Sequence, residues 1–267
     1  MKLFINQLNT VLPDIQNWEQ LRSILKGKQT YKPSQTSIKH TCSLLPANER
    51  RRASETVKLV FSACEPLFDA SQEDQHTFES VFASSGGDYT IFDKICRTLC
   101  TEERFVSPTL FHNSVFNAAA GYWSIATKNR ASTRSIAAAE YSAGMGFTES
   151  VSLLHCGADS VLLCCYDICP PEPLSTVSKI DLPAAFAFVI SKHPADQCHA
   201  VIDSAQLSKP DPTTKQLPER LKVLEKTNPM MTLLPLLSTI ALGESNTVQI
   251  PCSPSQSLEI RIRANDR

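Results

Sequence analysis

The sequence predicts an α/β fold with a mixed, mostly parallel sheet covered by helices on both faces. Three observations carry this. Segments of strand character alternate with segments of helical period, the pattern of a sheet layered with helices. The run Ser160–Cys165 is apolar on both faces, as a strand buried on both sides must be. Residues 107–167 read as helix, strand, tight turn, helix and strand, with Gly157 placed where a helix C-cap glycine belongs. The whole chain is assigned to one domain, 1–267, with a core over about 1–206 and a C-terminal helix/strand extension over about 207–267.

In chain order, Lys2–Leu8 is expected to form the first strand. Asn17–Leu25 follows as an amphipathic helix, with Trp18, Leu21 and Leu25 on one stripe. Lys26 to about Ser43 is a polar, proline-containing connection. Arg50, Arg51 and Arg52 then lead into a helix over Ala53–Phe68. Thr77–Ser84 is a strand ending in Ser85-Gly86-Gly87, where the glycines permit a tight turn into the helix Asp88–Leu99. Asn117–Ala126 is small and apolar, suited to a closely packed helix. Ser135–Ala139 enters a sharp turn at Glu140, and a second helix runs over about Ser142–His155. Pro170–Asp181 is a proline-rich loop. Ala184–Ile190 and Ala200–Gln206 are strands expected to pair as a hairpin, and Ser208–Gln216 is a loop. Leu217–Lys226 and Met230–Leu242 are helical by pattern, and Thr247–Pro251 and Ser257–Arg263 alternate as strands.

Composition excludes several classes. The 42% hydrophobic and 20% charged content is that of a globular chain. A net charge of −1 leaves no footprint for nucleic acid or an anionic membrane. No apolar run reaches the ~20 residues of a membrane span. The start MKLFINQLNTVLPD lacks the apolar core and cleavage site of a signal peptide, so a cytoplasmic location is expected. The ten cysteines include Cys96 and Cys100 on one helix and Cys164, Cys165 and Cys169 in a cluster. None forms paired C-x-x-C motifs with partner histidines, so buried free thiols are expected, with no metal and no cofactor. The lone pair Gly86-Gly87 lacks the spacing of a P-loop or dinucleotide fingerprint.

Residues Ile136-Ala137-Ala138-Ala139-Glu140-Tyr141-Ser142 resemble the I-x-x-A-Cys-x-S run at the nucleophile of β-ketoacyl synthases, which have the thiolase fold. Gly157-Ala158-Asp159 stands at the family's offset from that run. Phe111 to Gly121 is similar to its F-x-N-x-V-x-N-x-x-A-G stretch. The residues Pro46 to Leu59 resemble its P-x-x-x-R-R-x-S-x-x-x-K-L stretch. The resemblance covers roughly residues 1–200, and is nearest to short chain length factors of type II polyketide systems, especially aryl polyene systems. It implies a thiolase-like α/β/α three-layer half-fold, the N-terminal half of a synthase with a short extension. It also places Glu140 where the family carries its cysteine.

Condensation needs an activated thiolate to take the acyl group and donors for the developing enolate oxyanion. In the resembled family two histidines supply the latter from the C-terminal half, and no histidine occurs between Ala200 and Arg267. The resemblance therefore implies a non-catalytic chain that pairs with a full-length β-ketoacyl synthase, meets acyl carrier protein through that complex and shapes the acyl tunnel. Leu110, Phe111, Phe116, Asn117 and Tyr122 are the expected partner and tunnel residues. Arg50, Arg51 and Arg52 are the expected carrier-docking residues, with a solvated helix start as the plainer reading. His112 and His155 are read as structural. Two alternatives stand beside this: a malonyl-carrier decarboxylase or priming factor using Glu140, and a non-catalytic scaffold that binds acyl carrier protein. An ionised glutamate cannot donate the amide hydrogen bond that glutamine offers at this place in related factors, which weighs against the decarboxylase.

Overall fold

A computed structural model describes residues 1–33, 38, 40, 42–68, 78–214 and 217–263. Parts of the expected connection 26–43, Thr77 of the second predicted strand and residues 215–216 of the loop 208–216 lie outside the described residues.

Strand β1 (Leu3–Val11) runs three residues past its predicted end. Helix α1 (Trp18–Leu25) starts where the Asn17 side chain accepts a hydrogen bond from the Gln20 amide, and buries Trp18, Leu21, Ile24 and Leu25. From sequence the arginines are expected to lead into one long helix over Ala53–Phe68, and the structure differs. The arginines end a separate short helix, α2 (Ala47–Arg52), because Ala53 is extended and Ser54 then caps a new one, α3 (Glu55–Cys64). An N-cap serine was the overlooked signal.

Strand β2 (Glu79–Ala83), helix α4 (Tyr89–Leu99, capped by Asp88), helix α5 (Pro108–Asn113, capped by Ser107) and helix α6 (Ala118–Thr127) follow. Strand β3 (Thr133–Ile136) leads through a 3₁₀ turn at Ala139–Tyr141 into helix α7 (Ser142–His155). Beyond it come β4 (Ser160–Asp167), β5 (Ala184–Ser191), β6 (Ala200–Ser208), the single turn α8 (Lys222–Glu225), α9 (Leu234–Leu242), β7 (Asn246–Ser253) and β8 (Gln256–Arg263).

The described strands form one sheet of eight in the order β3-β2-β4-β5-β1-β6-β8-β7. Neighbours are parallel only at β2–β3 and β2–β4, and the other five pairings are antiparallel. Followed through those pairings, β3, β2, β4, β1 and β8 run one way, and β5, β6 and β7 the other. The expected β5–β6 hairpin is not formed. Strand β1 lies between them and is antiparallel to both, with Phe4 opposite Ser191 and Val201. Two strands antiparallel to a shared neighbour run parallel to one another, and such strands cannot be joined as a hairpin.

Side chains of β4 alternate between two apolar clusters, which explains its continuous apolar run. Val161, Leu163 and Cys165 join α7 and the C-terminal elements, whereas Leu162, Cys164 and Tyr166 join α3 and α6. The C-terminal hairpin is no appendage. Val248, Ile250, Leu258, Ile260 and Ile262 belong to the same cluster as Leu3, Val81 and Phe147.

Helix α7 touches β2 and β4 near one end of the sheet and β7 and β8 at the other. The sheet therefore curls until both of its ends bear on one helix. Glycines permit this: a Cβ at Gly146 would lie 2.7 Å from the Ala83 Cβ, and one at Gly144 would overlap the Pro251 carbonyl oxygen of β7. The backbone of β7 cannot yield without breaking its ladder. Gly144→Ala should lower unfolding free energy by about 2 kcal/mol or more, in the range of overpacked cores. Gly121→Ala, on an open face of α6 where a Cβ meets nothing within 4 Å, should instead raise it by up to about 1 kcal/mol. Urea unfolding of the two variants compares the signs directly.

Candidate functional site

The three parallel strands β3, β2 and β4 end side by side, and each ends in a polar feature. Strand β3 ends in the elbow. Ala139 is held at φ 48°, a left-handed conformation costing about 1–2 kcal/mol in a residue with a Cβ. Ser142 at the start of α7 fastens it: its Oγ accepts from the Ala138 amide and donates to the Ala139 carbonyl, both at 2.8 Å. The elbow packs on the 3₁₀ turn Pro229–Leu233 and on β7. Glu140 sits at its tip, two residues before α7, and is exposed. Strand-to-helix geometry thus holds at Glu140, within a 3₁₀ turn rather than the helix itself.

Strand β2 ends in Ser84-Ser85-Gly86-Gly87, and β4 ends in Asp167, which is wholly buried. Oδ1 of Asp167 accepts from Ser84 Oγ (2.8 Å) and the Ser85 amide (2.9 Å), and Oδ2 accepts from Ser85 Oγ (2.7 Å). Burial pushes its pKa up to about 6, against the lowering pull of Ser85 and Ser84. Nothing local in the sequence marks this carboxylate, since Asp167 closes an apolar run where an ordinary loop residue would also stand.

The helices α5 and α6 form the third part. A groove of about 430 Å³ lies between them, lined by Phe111, His112, Val115, Asn117, Tyr122 and Ile125 among others. Phe111 is 71% exposed, Val115 51% and Ile125 62%, so the groove opens onto an apolar face. Asn117 is also exposed, and Leu110 and Phe116 are half-buried. Tyr122 is 2% exposed and turns inward, its pKa raised chiefly by burial. Its ring meets His112 edge-on at 5.8 Å.

Arg50, Arg51 and Arg52 are exposed and engaged within the chain. Arg50 donates to the Leu45 carbonyl (2.8 Å), Arg51 to Asn48, and Arg52 lies 3.7 Å from Glu49. All ten cysteines are free thiols. Burial drives the pKa of Cys164 and Cys165 well up, which disfavours a nucleophilic thiolate there. Among the described residues no three His, Cys, Asp or Glu side chains converge as metal ligands. No helix among them is long and apolar enough to cross a membrane.

A strained strand-to-helix elbow whose helix is enclosed by both ends of a mixed sheet defines a thiolase-like α/β protein. The chain belongs to the β-ketoacyl synthase N-terminal domain family, which it matches over residues 16–233. It is similar in fold to a chain in the complex of the ketosynthase ApeO with its chain length factor ApeC from Xenorhabdus doucetiae. The TM-score is 0.71 at 19% identity, over 98% of this chain and 100% of that one. A chain of the AntDE:AntF complex, a type II polyketide acyl-carrier protein with its hexaketide-bound ketosynthase, gives 0.75 at 10% identity over 99% of each. The ishigamide ketosynthase/chain length factor gives 0.70 at 12% identity over 99% of each. No curated protein matches the sequence.

The Asp167 carboxyl makes stability depend on pH. Its folded pKa lies above the ordinary 3.8, so the folded state binds the proton more tightly than the unfolded state. Its contribution is full below about 4 and is lost as pH rises through about 6. Asp167→Asn keeps the shape and can keep all three partners, since the Ser85 hydroxyl can reverse its bond. Relative to that variant, the native chain should lose roughly 2 kcal/mol between pH 4 and 7. Parallel urea titrations, giving curves of the two proteins that stay a constant distance apart over this range, would contradict the assignment.

Proposed function

We propose that this chain is a non-catalytic β-ketoacyl synthase homologue that pairs with an active ketosynthase and limits the length of the acyl chain made by the complex, as a chain length factor does. The observation that carries the reading is Glu140 at the tip of the elbow. A carboxylate there cannot take up an acyl group as a thioester, and the residues after Ala200 offer no histidine as an oxyanion donor. The solved structures similar to this chain include ketosynthase/chain length factor complexes, and one also contains an acyl-carrier protein. That supports a full-length ketosynthase as partner and carrier protein as a visitor to the complex, in a type II polyketide or aryl polyene setting.

The surface agrees in kind. Strand β3 is the edge of the described sheet, and α6 beside it carries the open groove with Phe111, Val115 and Ile125. An edge strand beside an apolar face is a template for another chain. A permanent pairing of this sort buries roughly 2,000 Å² or more. In this reading Leu110, Phe111 and Phe116 would narrow a tunnel shared with the partner, with Asn117 flanking them and Tyr122 lining the groove from its buried side. Arg51 and Arg52 remain the candidates for carrier docking, with Arg50 tied to the Leu45 carbonyl.

Two outcomes test this. Co-expression with the full-length ketosynthases of its own genome should yield a stable complex with one of them, and Phe116→Ala should lengthen its products by at least one two-carbon unit while sparing assembly. A chain that stays apart from every one of these ketosynthases refutes the pairing, and unchanged lengths in an intact complex refute the role of Phe116. Intact-mass spectrometry of the isolated chain with acyl carrier thioesters should show no acyl adduct. A stable adduct, or conversion of malonyl carrier to acetyl carrier, would restore an enzymatic reading.

A further inference from the structure

The Ser84 hydroxyl that donates to Asp167 also accepts from the Gly87 amide at 2.8 Å. Gly87 has φ +68°, and a Cβ there would sit 3.0 Å from Cδ2 of Phe116, so the phenyl ring rests on this glycine. The Ser84 amide in turn donates to the Ile136 carbonyl at 3.1 Å, at the end of β3 just before the elbow. One buried carboxylate therefore holds a chain of contacts running from the end of β4, through the turn after β2, to the Phe116 ring.

We propose that Asp167 is a positioning residue that, through Ser84 and Ser85, fixes the Gly87 floor under Phe116 and so sets where that ring stands in the acyl tunnel. The arrangement has the properties a fixed stop needs. Three hydrogen bonds to a carboxylate shielded from solvent resist small displacements more than neutral bonds would. A glycine floor lets the ring edge approach the backbone closely, and backbone cannot swing aside as a side chain can. Protonation of Asp167 weakens the bonds from Ser84 and Ser85 and turns the Ser85 hydroxyl from donor to acceptor, so the floor and the ring respond to pH. Asp167 acts electrostatically on Cys165 and Tyr166, and Asp88 at the start of α4 and Cys64 of α3 act on Tyr166; the ionisable side chains preceding Asp167 on its own strand are Cys164, Cys165 and Tyr166. Burial raises the last three, which stay neutral across the range in which Asp167 titrates.

The positioning is read on the isolated full chain, independently of any partner. In protein labelled with 4-fluorophenylalanine, the Phe116 fluorine resonance is identified by its loss in Phe116→Leu. It should shift with pH with a midpoint near 6. The shift should vanish in Asp167→Asn and persist in Asp88→Asn, which retains the helix cap. A resonance that ignores pH in the native chain, or that titrates equally in Asp167→Asn, overturns the inference. The consequence for length rests on the function proposed above and is read on the purified complex with the ketosynthase. Ser85→Ala, and Asp167→Ala where it folds, should at least double the fraction of products longer than the native maximum. If Phe116→Ala lengthens products and these variants do not, the positioning role falls and the chain-length reading stands. If Phe116→Ala changes nothing, the role of Phe116 in limiting length falls, and the fluorine titration alone decides the positioning.

Discussion

Everything in this structure depends on how closely α7 can be approached. The helix has sheet on two sides, and both approaches are made at glycines, Gly146 under β2 and β4 and Gly144 under β7. Ordinary side chains at those positions would hold the sheet ends off the helix and leave the space between them empty or wet. Close approach instead lets Phe147, Leu154, Val248 and Ile260 share one dry cluster. Each such side chain, fully buried, contributes roughly 1.5–3 kcal/mol. The elbow inherits its rigidity from this arrangement, because Ser142, which fastens Ala138 and Ala139, is the first residue of the clamped helix. The short C-terminal hairpin thus supplies the second covering surface for α7.

The same clamping explains why the chemistry gathers at one end of the parallel strands. Their carboxyl ends are where open α/β sheets hold ligands, and here they carry the elbow, the serine–glycine turn and Asp167. The α5–α6 groove lies next to this end, reached through Phe116 on Gly87. Rigid polar features inside and an exposed apolar rim outside suit a surface that shapes a cavity completed by another chain.

Much of this was legible in the sequence, for identifiable reasons. Helices α1, α4 and α7 could be read because their end signals are local: Asn17, Asp88 and Gly157 mark ends that local chemistry alone decides, whereas α6 was legible from its small apolar composition. The run Ser160–Cys165 announced a strand buried on both faces. The neighbours of β1 could not be read, because β5 and β6 look like any adjacent pair of apolar strands and the pairing is chosen by partners nearly 200 residues away. The break at Ala53 was hidden behind an arginine run that looks helical throughout. The elbow was found from the Ile136–Ser142 run, but the exposure of Glu140 and the inward turn of Tyr122 belong to packing. Asp167 was missed altogether, since the serines that satisfy it lie over eighty residues upstream.

The central place of β1 has a consequence for how the protein is made. Strand β1 leaves the ribosome well before its partners β5 and β6, which are among the later strands to be synthesised. At ~5–20 residues per second, the nascent chain carries β1 without either partner for roughly 10–40 seconds. During that interval its apolar side chains, Leu3, Ile5 and Leu8 among them, need shelter from other chains, which makes this strand a natural client for chaperones at the exit tunnel. Release of a fragment shorter than about 190 residues leaves the sheet without its middle, so premature termination yields material for proteolysis rather than a smaller folded protein.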